Sequence, residues 1–300
     1  MRMPSPILIA AFGVFCGCGV DVFIKALSAD IPIVELTVWR FVFGGIFATA
    51  IFLAMGRRNP PLEAWQFHTM RGVVHLAAAF LFFYSLTQLG LAEATVIGFT
   101  AALMIAPIAR ILLGETFGWV SVLASFVGFA GALITASGET TGAPPDGDRL
   151  IGTIAVFAAA LCYAISVVLL RMRAQKEDSL TIVMLSNVLP GLLGLPFLIA
   201  SDPVPEVSQL PWLAALGLCG LSIWWLFTLA YARAPAQKLA PLEYTAVIWS
   251  ALFGAIFFGE IPGWQLYAGA VVIIAACLLV AFESRILART RPLTAVDQAK

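Results

Sequence analysis

Charge is what this chain has least of. Of its 300 residues, 11% are charged and 61% are hydrophobic. Soluble domains carry roughly 25% charged residues, so the chain cannot cover a water-facing surface. That excludes an ordinary soluble enzyme, a nucleic-acid binder and a disordered chain. Histidine is nearly absent too, with 2 residues, and the 5 cysteines are scattered. Cys16 and Cys18 lie two apart and point apart on a helix; Cys162, Cys219 and Cys277 stand alone, and there is no C-x-x-C. This spacing holds no metal, and no cofactor motif is present. A G-x-x-x-x-G-K phosphate loop is missing, so the chain does not itself hydrolyse ATP. The G-x-S-x-G and H-E-x-x-H signatures of hydrolases are missing as well.

What is present is long apolar runs. They fall at about 5–27, 32–55, 69–88, 92–113, 118–137, 151–171, 180–200, 211–232, 240–258 and 263–283. Each is near the roughly 20 residues that a spanning helix needs. None shows the two-residue alternation of a membrane strand. The expectation is an all-α integral membrane protein of ten transmembrane helices. The first run has the basic start of a cleaved leader at Arg2 and a small-residue site at Ala26-Leu27-Ser28. Its apolar core is too long for one, and it carries Asp21 and Lys25, so it reads as a retained span. With the N-terminus placed inside, every lysine and arginine except Lys25, Arg40 and Arg149 falls on the cytoplasmic side. That satisfies the positive-inside rule and predicts cytoplasmic N- and C-termini in a cell (inner) membrane.

The runs form two groups of five. At an offset of 145 residues, Leu113-Gly114-Glu115 with Gly118-Trp119 aligns with Phe258-Gly259-Glu260 and Gly263-Trp264, and Thr100-Ala101 with Thr245-Ala246. Because five is odd, the second group enters the membrane inverted. The expected organisation is a first repeat over 1–140, an external linker over 141–150, an inverted second repeat over 151–283 and a tail over 284–300. An inverted repeat permits two halves to rock about a midplane site, the architecture of secondary transporters.

The two small-residue helices, Ala102 to Pro107 and Ala246 to Ala251, each run on to a Gly-Glu pair at Gly114-Glu115 and Gly259-Glu260. In these features the chain resembles the drug/metabolite transporter superfamily, in its ten-span EamA-type members, over about residues 5–283. One departure is Leu252, where the first half has Pro107. The elements around Asp21 and Lys25, and around Glu35 and Arg40, are similar to those of metabolite-uptake members. The resemblance implies transport of small organic solutes such as amino acids, their derivatives, nucleosides or vitamins. It also implies a site between the halves at spans 1, 3, 4, 6, 8 and 9.

Ionisable groups inside a span cost about 2.5–3.5 kcal/mol on insertion scales unless paired or hydrated. Asp21 and Lys25 are four apart, on one helix face, and Glu35 and Arg40 lie at similar depth in the next span. The four read as one net-neutral network, either a substrate or proton site or an outer gate; the alternative is a fixed pair or snorkelling side chains. Glu243, one turn into span nine, is a candidate for a substrate amine or a coupling proton. His75 is a candidate proton relay, with a structural interior histidine as the alternative. Tyr84, Phe99, Tyr163 and Trp249 could line a cavity for a flat or cationic solute, or serve packing alone. Gly114, Glu115, Gly259 and Glu260 read as architecture of the repeat, the glutamates capping or anchoring the helix that follows. Small residues at Gly13, Gly17, Gly98, Ala102 and Ala106 suit close helix contacts.

The reading is a secondary active transporter of a small organic metabolite, an amino acid or an amino-acid- or vitamin-like solute, working by alternating access. Its partners would be the solute, the lipid bilayer and a coupling proton, with no nucleic acid, in a monomer or weak dimer. The rivals are a multidrug exporter of lipophilic cations and a passive facilitator or channel. A channel would show a pore loop or a ring of like charge, and neither is visible. A membrane enzyme would need His, Asp or Ser clustered at one depth, and the charges here pair acid with base.

Overall fold

A computed structural model describes residues 5–113, 119–142, 144, 147–173, 177–201, 205–231 and 245–290. The helices are α1 (Pro6–Leu27), α2 (Ile33–Ala54), α3 (Leu62–Leu86), α4 (Leu91–Gly98), α5 (Thr100–Leu113), α6 (Trp119–Ser137), α7 (Arg149–Arg173), α8 (Ser179–Ser201), α9 (Leu210–Tyr231), α10 (Ala246–Phe258) and α11 (Trp264–Thr290). Two short strands, β1 (Thr140–Thr141) and β2 (Ile261–Pro262), pair antiparallel. Seven helical stretches among the described residues are long and apolar enough to cross a membrane, α4 and α5 counting as one, and three further apolar helices are shorter.

Local chemistry sets the helix ends. Ser5 caps α1 by accepting the Leu8 N–H at 3.3 Å, with Pro6 in the first turn, where its missing N–H costs nothing. Pro32 and Pro61 stand at the N-caps of α2 and α3. Gly259 ends α10 in the left-handed region at φ 65°, which glycine enters without a Cβ clash. That turn sends the chain into β2, whose pairing with β1 ties the end of α6 to the start of α11.

Two spans differ from the sequence reading. The run expected at 69–88 begins at Leu62, so His68 and Arg71 lie within the helix. The run expected at 92–113 is broken at Phe99, between α4 and α5. Gly98 is a poor helix former, and the Thr100 hydroxyl donates to the Ile97 carbonyl at 2.7 Å, a local bond that competes with the helical pattern.

Helices of the first half pack on those of the second. α1 runs along α9, α3 along α7, α2 along α8 and α6 along α11. The main core lies at the ends of α1 and α3 and along α4, with Ile24, Leu36, Leu86, Leu91, Ile97, Leu213 and Leu216 fully buried. Gly13 and Gly17 face Leu226 and Ile223 of α9, a close approach of the kind their small size suggested. The outside is apolar: Ile111, Phe126, Ile199, Ile248 and Val271 are all strongly exposed. A water-soluble monomer rarely shows such continuous apolar area; hydrocarbon is its natural solvent.

Candidate solute-binding site

Arg40 and Asp21 occupy the interior. Arg40 comes from the second turn of α2 and is only 6% exposed. Its guanidinium carbon lies 4.4 Å from the centroid of the Phe41 ring and 5.7 Å from that of Phe83. The rings attract the charge through their faces but take none of its N–H groups, and Nε and Nη1 are buried without a hydrogen-bond partner. Asp21, on α1, is the charge that Arg40 feels, and Arg40 the charge that Asp21 feels. Among the described residues no ion pair or hydrogen bond joins them.

Room for Arg40 is made by Gly220 of α9. A Cβ there would sit 2.8 Å from Nε and 3.1 Å from Cζ. Gly220→Val should therefore push the guanidinium off its place and lower uptake by about tenfold or more, while Gly220→Ala loses less, since a flexible side chain can yield a few tenths of an ångström. Initial uptake rates, normalised to protein in the membrane, check this.

His75 stands beside the pair. It is buried, its ring edge-on to Phe41 at 5.5 Å and to Trp224 at 6.0 Å between centroids. Arg40 and Arg71 are the charges that it feels. Phe41 and Phe83 thus flank Arg40, and His75 and Trp224 continue the aromatic cluster behind Phe41. Of the aromatics singled out from sequence, Trp249 packs edge-on against Phe15 at 5.2 Å, and Tyr84 stacks on Phe80 at 6.3 Å. Phe99 sits at the α4–α5 break, and Tyr163 lies on α7, 39% exposed.

The charges expected as one network are divided. Lys25 forms a buried ion pair with Glu260 and donates to the Leu89 carbonyl at 2.7 Å. The other Glu260 oxygen accepts the Leu91 N–H at 2.7 Å. Glu260 therefore caps α4 and holds Lys25, rather than capping the helix that follows it. The left-handed turn at Gly259 brings its carboxylate there. Glu35 stands in the first turn of α2, where the helix dipole favours an acid. Gly114, Glu115 and Glu243 lie outside the described residues.

Two polar closures flank the Arg40–Asp21 pair. At one end of the bundle, Lys25–Glu260 is joined by Glu93, which is 3% exposed and takes Arg149 Nη2 at 2.6 Å and Nε at 3.0 Å. A cleft of about 240 Å³ opens beside Glu93 and Arg149. At the other end Arg71, 2% exposed, donates to His68 Nδ1 and Ser166 Oγ at 3.3 Å each and to Ser186 Oγ. His68 meets Glu177 at 2.7 Å, and Arg173 holds Glu63 at 2.6 Å. The first joins α1, α4 and the start of α7, and the second joins α3, α7 and α8. At 1.5 Å per residue they stand roughly 25 Å apart along α7, from Arg149 to Ser166. None of Glu93, Arg149, Arg71, His68 and Glu177 is among the site candidates read from the sequence. Glu93 did carry a signal, as a carboxylate inside an apolar run, and Arg149 as the lone basic residue outside.

A helical membrane bundle with charges buried between its helices has the make-up expected of a protein that moves solutes or ions. The chain is a member of the EamA-like transporter family, whose pattern matches residues 4–137 and again 150–282, and it is not an enzyme. It is 24% identical over 265 residues to the S-adenosylmethionine uptake transporter of Rickettsia prowazekii, covering 88% of each chain. It is 24% identical to the pseudopaline exporter of Pseudomonas aeruginosa, over 92% of this chain and 95% of that one. To the riboflavin transporter of Brucella anthropi it is again 24% identical, over 94% and 100%. A crystal structure with 21% identity superposes with a TM-score of 0.64, covering 94% of this chain and 98% of that one. At that identity it speaks for the fold alone.

Proposed function

We propose that this protein is a secondary active transporter that moves a small organic metabolite across the cell's inner membrane by alternating access. The observation that carries the reading is the pair of polar closures set far apart along α7, with Arg40 buried and Asp21 partly buried between them. A channel needs one continuous path. A carrier needs two barriers that open in turn, and ion pairs are suited to breaking and reforming. The swapped packing of the halves, α1 on α9 and α3 on α7, supports an inverted five-plus-five repeat, because a two-fold axis exchanges those pairs. The named relatives are an S-adenosylmethionine uptake transporter, a pseudopaline exporter and a riboflavin transporter, which favours a metabolite over a lipophilic cation. The distribution of basic residues supports cytoplasmic N- and C-termini. His75, between Arg40 and Arg71, and Glu243 are the candidates for a coupling proton.

The test is uptake into proteoliposomes from a mixed pool of amino acids and vitamins. A carrier gives saturable uptake that is accelerated by solute on the far side and driven by a pH gradient or exchange. Linear, unaccelerated flux would mean a channel. Accumulation with no gradient, counter-solute or potential would contradict the energetics of this reading.

A further inference from the structure

We infer that His68 is a proton-binding site built into the closure at the Arg71 end of the bundle: it positions Arg71 only while neutral, so a proton on Nδ1 and a shut closure exclude one another. This rests on the reading of that cluster as a barrier that opens in a carrier's cycle. The geometry fixes how the ring is used. Arg71 Nε reaches His68 Nδ1 at 3.3 Å. A guanidinium has only donors, so Nδ1 must present its lone pair. The ring proton of neutral His68 then sits on Nε2, which donates to Glu177 Oε2 at 2.7 Å. With Nε held on His68, Arg71 Nη1 meets Ser166 of α7 at 3.3 Å and Nη2 meets Ser186 of α8. All three acceptors are neutral, and among the described residues no carboxylate touches this guanidinium. A buried charge held so is a clasp that can be released, where a direct carboxylate partner would lock it.

A second ring proton has no place in this arrangement. It would set an Nδ1–H against the Arg71 N–H, donor on donor and cation on cation. The charged groups facing His68 among the described residues are Arg71 on its own helix, Arg173 of α7 and Glu177 beyond α7. Arg173 is answered by Glu63 at 2.6 Å and lies 3.9 Å from Glu177. From the neighbouring helices, α8 carries no charged residue, and α2 carries only Glu35 and Arg40 near its start, away from the loop that leads to His68. Glu177 therefore favours the imidazolium and Arg71 is what opposes it at contact. Once Arg71 swings off Ser166 and Ser186, the ring and Glu177 are left as an ion pair. His68 is 1% exposed in the shut form, so the proton comes from water at that end as Arg71 leaves, onto the Nδ1 lone pair, and no other covalent bond changes. A ligand bound by one form alone draws the equilibrium to that form, so acid opens this closure.

The experiment uses the full chain in nanodiscs, its five cysteines replaced by alanine. Spin labels go on Leu62→Cys of α3 and Ser179→Cys of α8, both exposed, and double electron–electron resonance reads their separation between acid and alkaline pH. With His68 present, the ratio of long to short separations should rise by about tenfold or more as the pH falls. His68→Asn offers Arg71 an oxygen near the place of Nδ1 that takes no proton, and should keep the short separation throughout. Glu177→Gln keeps an acceptor for Nε2 and removes the charge that favours the imidazolium, so the midpoint of opening should move to lower pH by about one unit. A separation that ignores pH with His68 present, or an unchanged response in His68→Asn, overturns the assignment. If His68→Asn does not fold, an unmoved midpoint in Glu177→Gln overturns it. The carrier reading is judged apart, by uptake into proteoliposomes: linear, unaccelerated flux beside an intact pH response removes the carrier and leaves the proton site.

Discussion

Arg40→Ala should lower transport by about a hundredfold or more while leaving the protein inserted in the membrane at its normal level. The substitution removes the guanidinium between Phe41 and Phe83 and leaves Asp21 without the charge it faces. Loss of one member of a buried charge pair at a recognition site costs about 2–5 kcal/mol. The fold should survive, because Phe41 and Phe83 pack around Arg40 and its buried Nε and Nη1 hold no other element in place. Arg40→Lys should fall between, since it keeps the charge and loses the planar fork. Uptake rates in proteoliposomes, beside membrane yield and monodispersity in detergent, decide the matter. Full transport by Arg40→Ala would remove Arg40 from the site.

The second large effect belongs to Lys25 and Glu260. Lys25→Met leaves the Glu260 carboxylate buried with no cation, and Glu260→Gln leaves the Lys25 ammonium in the same position. Breaking a buried pair from one side costs about 3–5 kcal/mol, so each single variant should be far less stable and yield little folded protein. The double variant Lys25→Met/Glu260→Gln should regain most of that stability, because neither charge is then stranded. A double-mutant cycle by thermal unfolding in detergent should return a coupling of about 2 kcal/mol or more. Additive losses would mean that the two residues act separately. Glu260 also caps α4 through the Leu91 N–H, and Gln retains an oxygen for that bond, so the loss should trace to charge rather than to the cap. If the pair belongs to a closure that opens in the cycle, the double variant will be folded yet altered in turnover. An unaltered turnover would make Lys25–Glu260 a fixed brace.

These outcomes show what could be read from residue order. Asp21, Lys25 and Arg40 were visible as intramembrane charges, since an apolar run makes any ionisable group costly. Helix-facing small residues such as Gly13 were visible through spacing. The Lys25–Glu260 pair was not visible, because its partners lie 235 positions apart in the chain. Proximity along one helix favoured Asp21 as the partner of Lys25, and the left-handed turn at Gly259 overrode it. An apolar run that starts at residue 69 leaves Arg71 at its boundary. Once α3 begins at Leu62, Arg71 is interior and must find donors' partners there, which Ser166 and Ser186 supply.

By itself the sequence determined the class. Scarce charge and long apolar runs leave hydrocarbon as the only solvent in which this chain can keep its surface, and the recurring Gly-Glu motif tied it to a transporter family. Only the tertiary structure decided which charges meet. Hydrophobicity is a local property, summed along twenty residues and legible in order. Pairing between charges depends on which helices lie side by side, here α1 with α9 and α10 and α3 with α7, and that is settled by packing across the two halves.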